Sequence, residues 1–204
     1  LIPVKYNATT LKDKDKNKKA LAKDAGFPYD PAVPIVGMIS RLTNQKGFDL
    51  IAAAIDDLLK LKLQIVILGT GDPQYHKLLE KLRKAHPKQI ALFLKFDDAL
   101  AHLIEAGSDM FLMPSLYEPC GLNQMYSLKY GTIPIVRKTG GLADTIIDAD
   151  ADPNNGNGFV FAEYTPKAMA DAVRRAVAAF HDEKGWQKLI KRCMKQDFSW
   201  QIAA

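Results

Sequence analysis

Arg41 and Lys46 sit in the segment Ser40-Arg41-Leu42-Thr43-Asn44-Gln45-Lys46-Gly47, directly before an amphipathic stretch. Two cations beside the start of a helix suit a phosphate. The helix start offers unpaired N–H groups and partial positive charge. An arginine grips phosphate oxygens through two donors, and a lysine adds a point charge. A second segment, Pro114-Ser115-Leu116-Tyr117-Glu118-Pro119-Cys120-Gly121-Leu122, supplies complementary chemistry. Gly121 lacks a side chain, so the N–H groups of a helix opening at Gly121-Leu122 can approach a phosphate. Glu118 is a carboxylate able to accept hydrogen bonds from sugar hydroxyls. Together these residues suit a diphosphate.

Each residue also has a plainer reading. Arg41, Lys46 and Glu118 taken singly are ordinary exposed loop charges. Gly69-Thr70-Gly71 lacks the third glycine of a dinucleotide fingerprint and has no P-loop lysine, so alone it is a turn. Thr139-Gly140-Gly141 alone is also a tight turn. Cys120 has no histidine near it in its motif, so a small packed residue is expected rather than a nucleophile. His76, His86, His102 and His181 stand singly and are expected at the surface. No metal-ligand spacing appears.

These segments need a scaffold. Short, continuously apolar runs at Pro34 to Ile39, Leu63 to Leu68, Ile90 to Leu94, Met110 to Met113, Ile133 to Val136 and Phe159 to Phe161 read as buried strands. Helical spacing predicts helices at Lys46 to Lys60, Pro73 to Ala85, Asp97 to Ala106, Gly121 to Tyr130, Thr165 to Phe180 and Gly185 to Gln196. Thr165 is the expected cap of its helix, with Pro166 in the first turn. Alternating strands and helices with fully apolar strands predict an α/β domain, a Rossmann-like doubly wound parallel sheet. Ligands bind beyond the carboxyl ends of such strands. The two phosphate segments fall there, as do Gly69 to Asp72 and Arg137 to Leu142, so one cleft is expected.

The chain has 204 residues and a net charge of +5. Residues 1–30 form a polar segment, and 31–204 form the domain proper. The lysine run from Lys12 to Lys23 reads as a solvated helix face or tail. It carries no interleaved aromatics, which disfavours nucleic acid. No apolar run is long enough to span a membrane, and no signal peptide is evident. Cys120 and Cys193 read as free thiols in a reducing compartment, so a cytoplasmic location is expected, or a plastid for a plant protein. The abrupt opening at Leu1 and stop at Ala204 predict a piece of something longer.

The two phosphate segments, the latter continuing through Asn123-Gln124, resemble the bacterial glycogen synthases and plant starch synthases. Leu68-Gly69-Thr70-Gly71-Asp72, Ala106-Gly107-Ser108-Asp109, Lys129-Tyr130-Gly131-Thr132 and Thr139-Gly140-Gly141-Leu142-Ala143-Asp144-Thr145 fit in order. The resemblance implies the C-terminal half of a GT-B glucosyltransferase, which transfers glucose from ADP-glucose to an α-1,4-glucan with retention. It further implies that Arg41 and Lys46 hold the diphosphate and that Glu118 lies near the glucose. The backbone N–H groups around Gly121, Leu122 and Asn123 would touch phosphate, Cys120 would bind the nucleotide sugar, Gly71 and Tyr126 would lie near the nucleoside, and no metal or cofactor would be needed. Thr139 and Gly140 would line the same rim. The family's N-terminal half is absent, and its C-terminal crossing helix would begin near Asp197-Phe198-Ser199-Trp200 and be cut short. A chain that binds ADP weakly and does not elongate glucan is therefore expected. UDP-glucose as donor, another GT-B enzyme, and a non-enzymatic glucan-binding module are the competing readings.

Overall fold

The structure is a computed structural model and describes residues 1–198. Six strands form one parallel sheet: β1 (Ile35–Ile39), β2 (Gln64–Leu68), β3 (Ile90–Phe93), β4 (Met110–Met113), β5 (Ile133–Arg137) and β6 (Phe159–Phe161), in the order β3-β2-β1-β4-β5-β6. The strands are apolar on both faces because helices cover both faces. The order reverses between β1 and β4. The chain leaves these neighbours in opposite directions, which opens a crevice beyond their carboxyl ends. The doubly wound fold expected from the sequence is present.

The helices are α1 (Lys14–Ala25), α2 (Phe48–Leu59), α3 (Pro73–Ala85), α4 (Asp98–Gly107), α5 (Asn123–Tyr130), α6 (Gly140–Thr145), α7 (Pro166–His181) and α8 (Glu183–Met194). The Asp97 carboxylate caps α4 by accepting from Leu100 N–H, and the Thr165 hydroxyl caps α7 by accepting from Ala168 N–H. Two expectations shift. The helix expected from Gly121 begins at Asn123, because Gly121 takes a left-handed φ of 71° that no α-helix accepts. The turn expected at Gly140-Gly141 is the start of α6, held by Leu142, which is fully buried. Of the expected start of a crossing helix, Ser199 and Trp200 lie outside the described residues.

The lysine run needs correction. Lys14, Asn17 and Lys18 are buried, and α1 packs on α4 so closely that a Cβ on Gly107 would meet the Asn17 carbonyl oxygen at 2.8 Å. Lys18 Nζ lies 2.8 Å from Asp109 Oδ2, and that oxygen also accepts from Ile35 N–H at 2.8 Å. This pair ties α1 to the first residue of β1. Lys14 Nζ donates to Ala106 O at 2.8 Å, Tyr130 O at 3.3 Å and Thr132 Oγ1 at 2.8 Å. It thus meets carbonyls at the closing ends of both α4 and α5, where a cation is favoured. Burial pulls the Lys14 ammonium down to about 7. Helix α1 therefore has a solvated face, as expected, and a second face fixed by buried charge. Among the described residues no helix is long and apolar enough to cross a membrane.

Candidate functional site

The crevice between β1 and β4 is built by the loops that follow them. A cleft open to solvent is lined by Arg41, Lys46, Ser115, Glu118, Gly121 and Asn123, with Met38 and Leu112 among its apolar floor. Arg41 is exposed, whereas Lys46 and Glu118 are largely covered. Lys46 Nζ lies 2.6 Å from Glu118 Oε2, and Ser115 Oγ donates to the same oxygen at 3.1 Å. Both cations, the carboxylate and the approach to α5 therefore converge on one space, as expected. Asn123 opens α5 and donates from Nδ2 to Ile39 O at 2.8 Å, which clamps that helix start to the end of β1.

Close backbone contacts set this geometry. A Cβ on Gly47 would lie 2.2 Å from Pro114 O, so only glycine lets the β1 and β4 loops approach. Leu116 N–H then donates to Gln45 O at 2.9 Å. On the other side, Gly141 N–H donates to Glu118 O at 3.1 Å, and a Cβ on Gly141 would stand 1.9 Å from Cys120 O. Thr139, Gly140 and Gly141 thus belong to a segment packed against the Glu118 loop, and Cys120 lies between that segment and Gly121. The structure leaves Cys120 exposed, which corrects the expectation of a packed side chain. Cys193 is the packed thiol: it contacts Asn157 O, and burial raises it to about 12.

The cleft continues sideways. A neighbouring hollow shares Arg41 and Asn123 and is lined by Gly69, Thr70, Lys95 and Phe96. Gly71 follows Thr70 without lining the hollow, where β1 and β2 stay paired past their ends. Leu42 N–H donates to Thr70 O at 3.0 Å, and Asp72 N–H to Leu42 O at 2.8 Å. His76 on α3 accepts from Gly71 N–H through Nε2 at 3.1 Å, so this histidine supports the rim rather than standing free. Tyr126, half-exposed, lines a third hollow together with Asn123, His102 and Glu105.

Sequence reasoning missed Lys95 and Phe96, which follow β3. Phe96 is 92% exposed beside the loops that carry Arg41 and Thr70. The available signal was an aromatic residue set between Lys95 and Asp97 just past a buried strand, where the chain has no core to reach. Arg137 was also missed as a support, because its partners are backbone carbonyls that no motif records.

The profile of the family described as Glycosyl transferases group 1 matches residues 17–194. The chain belongs to that family. This group 1 domain is 48% identical over 203 residues to a glycogen synthase of Anaeromyxobacter dehalogenans and 50% identical over 203 residues to one of Koribacter versatilis. Both alignments take in the whole of this chain and 42% of the relative, so the chain spans about two-fifths of the proteins it matches. The resemblance to glycogen and starch synthases therefore extends over the whole domain. Its fold matches the catalytic domain of Starch Synthase IV from Arabidopsis thaliana, a structure bound to ADP and acarbose, with a TM-score of 0.93 and 40% identity. That match covers 99% of this chain and 43% of the other. The C-terminal domain of a group 1 family glycosyl transferase from Francisella tularensis, LpcC, shares the fold at a TM-score of 0.68 and 20% identity, over 93% of this chain and 95% of that one.

Proposed function

We propose that the crevice between β1 and β4 binds the diphosphate of a nucleotide sugar, and that the parent protein transfers glucose from ADP-glucose to the end of an α-1,4-glucan with retention. One observation carries this reading: Arg41, Lys46 and the approach to α5 line a single cleft at the point where strand order reverses. A departing diphosphate gathers negative charge. Fixed cations and helix-start N–H groups stabilise it without reorganising, and more strongly where water is excluded. Glu118, held by Lys46 and Ser115, is positioned to accept from sugar hydroxyls. Phe96 offers a flat apolar face for the nucleoside base beside Thr70. Gly71 and Tyr126 flank the two side hollows. Cys120, Gly121 and Leu122 lead the backbone into α5. Thr139 and Gly140 act from behind the Glu118 loop.

Relatedness supports the donor and acceptor. The curated relatives are glycogen synthases, and the Arabidopsis structure is described as bound to ADP and acarbose. The reading has the acceptor held largely by the part of the parent protein that lies outside this chain. The 204 residues alone then bind nucleotide and do not elongate glucan.

Calorimetric titration with ADP on the wild-type chain and on Lys46→Ala tests the reading. Loss of a charge-assisted contact should weaken binding by about 1.5–3 kcal/mol, roughly ten- to a hundredfold. Equal affinities would remove Lys46 from the phosphate site. Parallel titrations with UDP and GDP decide the base. Turnover of ADP-glucose by the isolated chain would refute its inactivity. Exposed Tyr117 and Tyr126 on the same edge favour a second reading, a glucan-holding module. Retention on a starch gel with no response to any nucleotide would support that one.

A further inference from the structure

The Glu118 loop is tied at Leu116 from two directions. Its N–H donates to Gln45 O at 2.9 Å, and its carbonyl accepts from Arg137 Nη1 at 2.7 Å. Gln45 immediately precedes Lys46, and Leu116 stands two residues before Glu118. The backbone of Leu116 therefore bridges the two segments whose side chains meet as the Lys46–Glu118 pair. Arg137 is the last residue of β5, which fixes its backbone in register opposite Phe161. Its guanidinium carbon lies 5.4 Å from the centre of the Tyr164 ring, and the Tyr164 hydroxyl donates to Asp49 Oδ1 at 2.7 Å. Asp49 is in the first turn of α2, the helix that Lys46 precedes. Arg137 thus reaches both segments: directly through the Leu116 carbonyl, and indirectly through Tyr164 and Asp49.

Arg137 makes these contacts at a cost. Its Nε is buried with no hydrogen-bond partner among the described residues, and an unpaired buried donor costs free energy. Gln45, Leu116 and Tyr164 are each more than marginally accessible, so the arrangement adds little apolar burial. We propose that Arg137 is a positioning residue for the nucleotide site. It sets the spacing of Lys46 and Glu118 by fixing the Leu116 backbone, and it touches no phosphate itself. This inference rests on the reading of Lys46 as a diphosphate ligand.

A double-mutant cycle on the whole chain tests it, with ADP titrated against wild type, Lys46→Ala, Arg137→Ala and the double variant. Arg137→Ala should weaken ADP binding about three- to tenfold in the wild-type background and have no effect in the Lys46→Ala background. Arg137→Lys keeps the charge but loses the planar fork. It should bind ADP as weakly as Arg137→Ala, and it provides a folded control if the alanine variant does not fold, as judged by the urea midpoint. An equal loss from Arg137→Ala in both backgrounds overturns the proposal, because Arg137 would then act on the nucleotide or on the fold at large. Wild-type affinity in Arg137→Ala overturns it as well. If Lys46→Ala alone leaves ADP binding intact, the phosphate reading fails first and takes this inference with it.

Discussion

Lys46 and Glu118, separated by most of the sheet's midsection in sequence, share an ion pair of 2.6 Å at the reversal point between β1 and β4. Side-chain exposures of 17% and 11% place the pair between surface and core. Such a pair holds two loops in register. It also means that any incoming phosphate competes with Glu118 for Lys46.

That competition has a sign. Glu118→Gln keeps the shape and a carbonyl acceptor but removes a negative charge beside the proposed diphosphate. ADP should bind more tightly to this variant, by an amount on the order of 1 kcal/mol at the effective dielectric of a protein edge. The gain should shrink as salt is raised. Calorimetry at low and moderate ionic strength reads both effects. Weaker ADP binding by Glu118→Gln would mean that Glu118 supports Lys46 more than it opposes the phosphate.

Neighbouring lysines on α1 should behave oppositely. Lys18 is 5% exposed and pairs with Asp109, whereas the Lys16 side chain is 61% exposed and pairs with Asp13 on the surface. Removing one partner of a buried pair leaves the other charge uncompensated, at a cost of about 3–5 kcal/mol. Surface pairs contribute roughly 0–1 kcal/mol. Urea unfolding should therefore place Lys18→Met far below wild type and leave Lys16→Met close to it. Similar midpoints for the two variants would contradict the buried anchoring of α1.

Glu105 gives the fold a pH dependence. It is buried in α4, accepts from Ser127 Oγ at 2.7 Å, and is raised by burial from 4.5 to about 8. Between those values the folded chain keeps a proton that the unfolded chain has released, so this group's contribution to stability falls as pH rises from about 4.5 to 8. Lys14, lowered from 10.5 to about 7, acts in the other direction, and its penalty lifts only as pH climbs from 7 towards 10.5. Glu105→Gln deletes the first slope, and it also removes the carboxylate that holds Lys14 up against its burial, which adds to the gain with pH. Relative to wild type it should gain stability steadily from pH 5 to pH 8. A constant difference across that range would show that Glu105 is not protonated in the native state.

Much of this was legible in the sequence, because apolar runs of strand length and helical stripes report directly on burial. Arg41, Lys46, Glu118 and Gly121 could be placed on one rim since the loop after each parallel strand must emerge on the same edge. Partners that lie far along the chain, or that are backbone carbonyls, leave no such mark. Lys14 and Lys18 looked solvated because their acceptors, the Ala106 and Tyr130 carbonyls and Asp109, lie far along the chain. Gly140 and Gly141 looked like a turn because nothing local announces the Glu118 and Cys120 carbonyls pressed against them. Phe96 escaped notice because a single exposed aromatic has no period.

The ladder between Leu42 and the Thr70 to Asp72 stretch carries strand pairing past the end of the sheet and into the rim. A rim stiffened this way has little conformational freedom left to surrender when a ligand arrives. Association with this rim should then resemble docking onto a finished mould, fast and with little loop ordering.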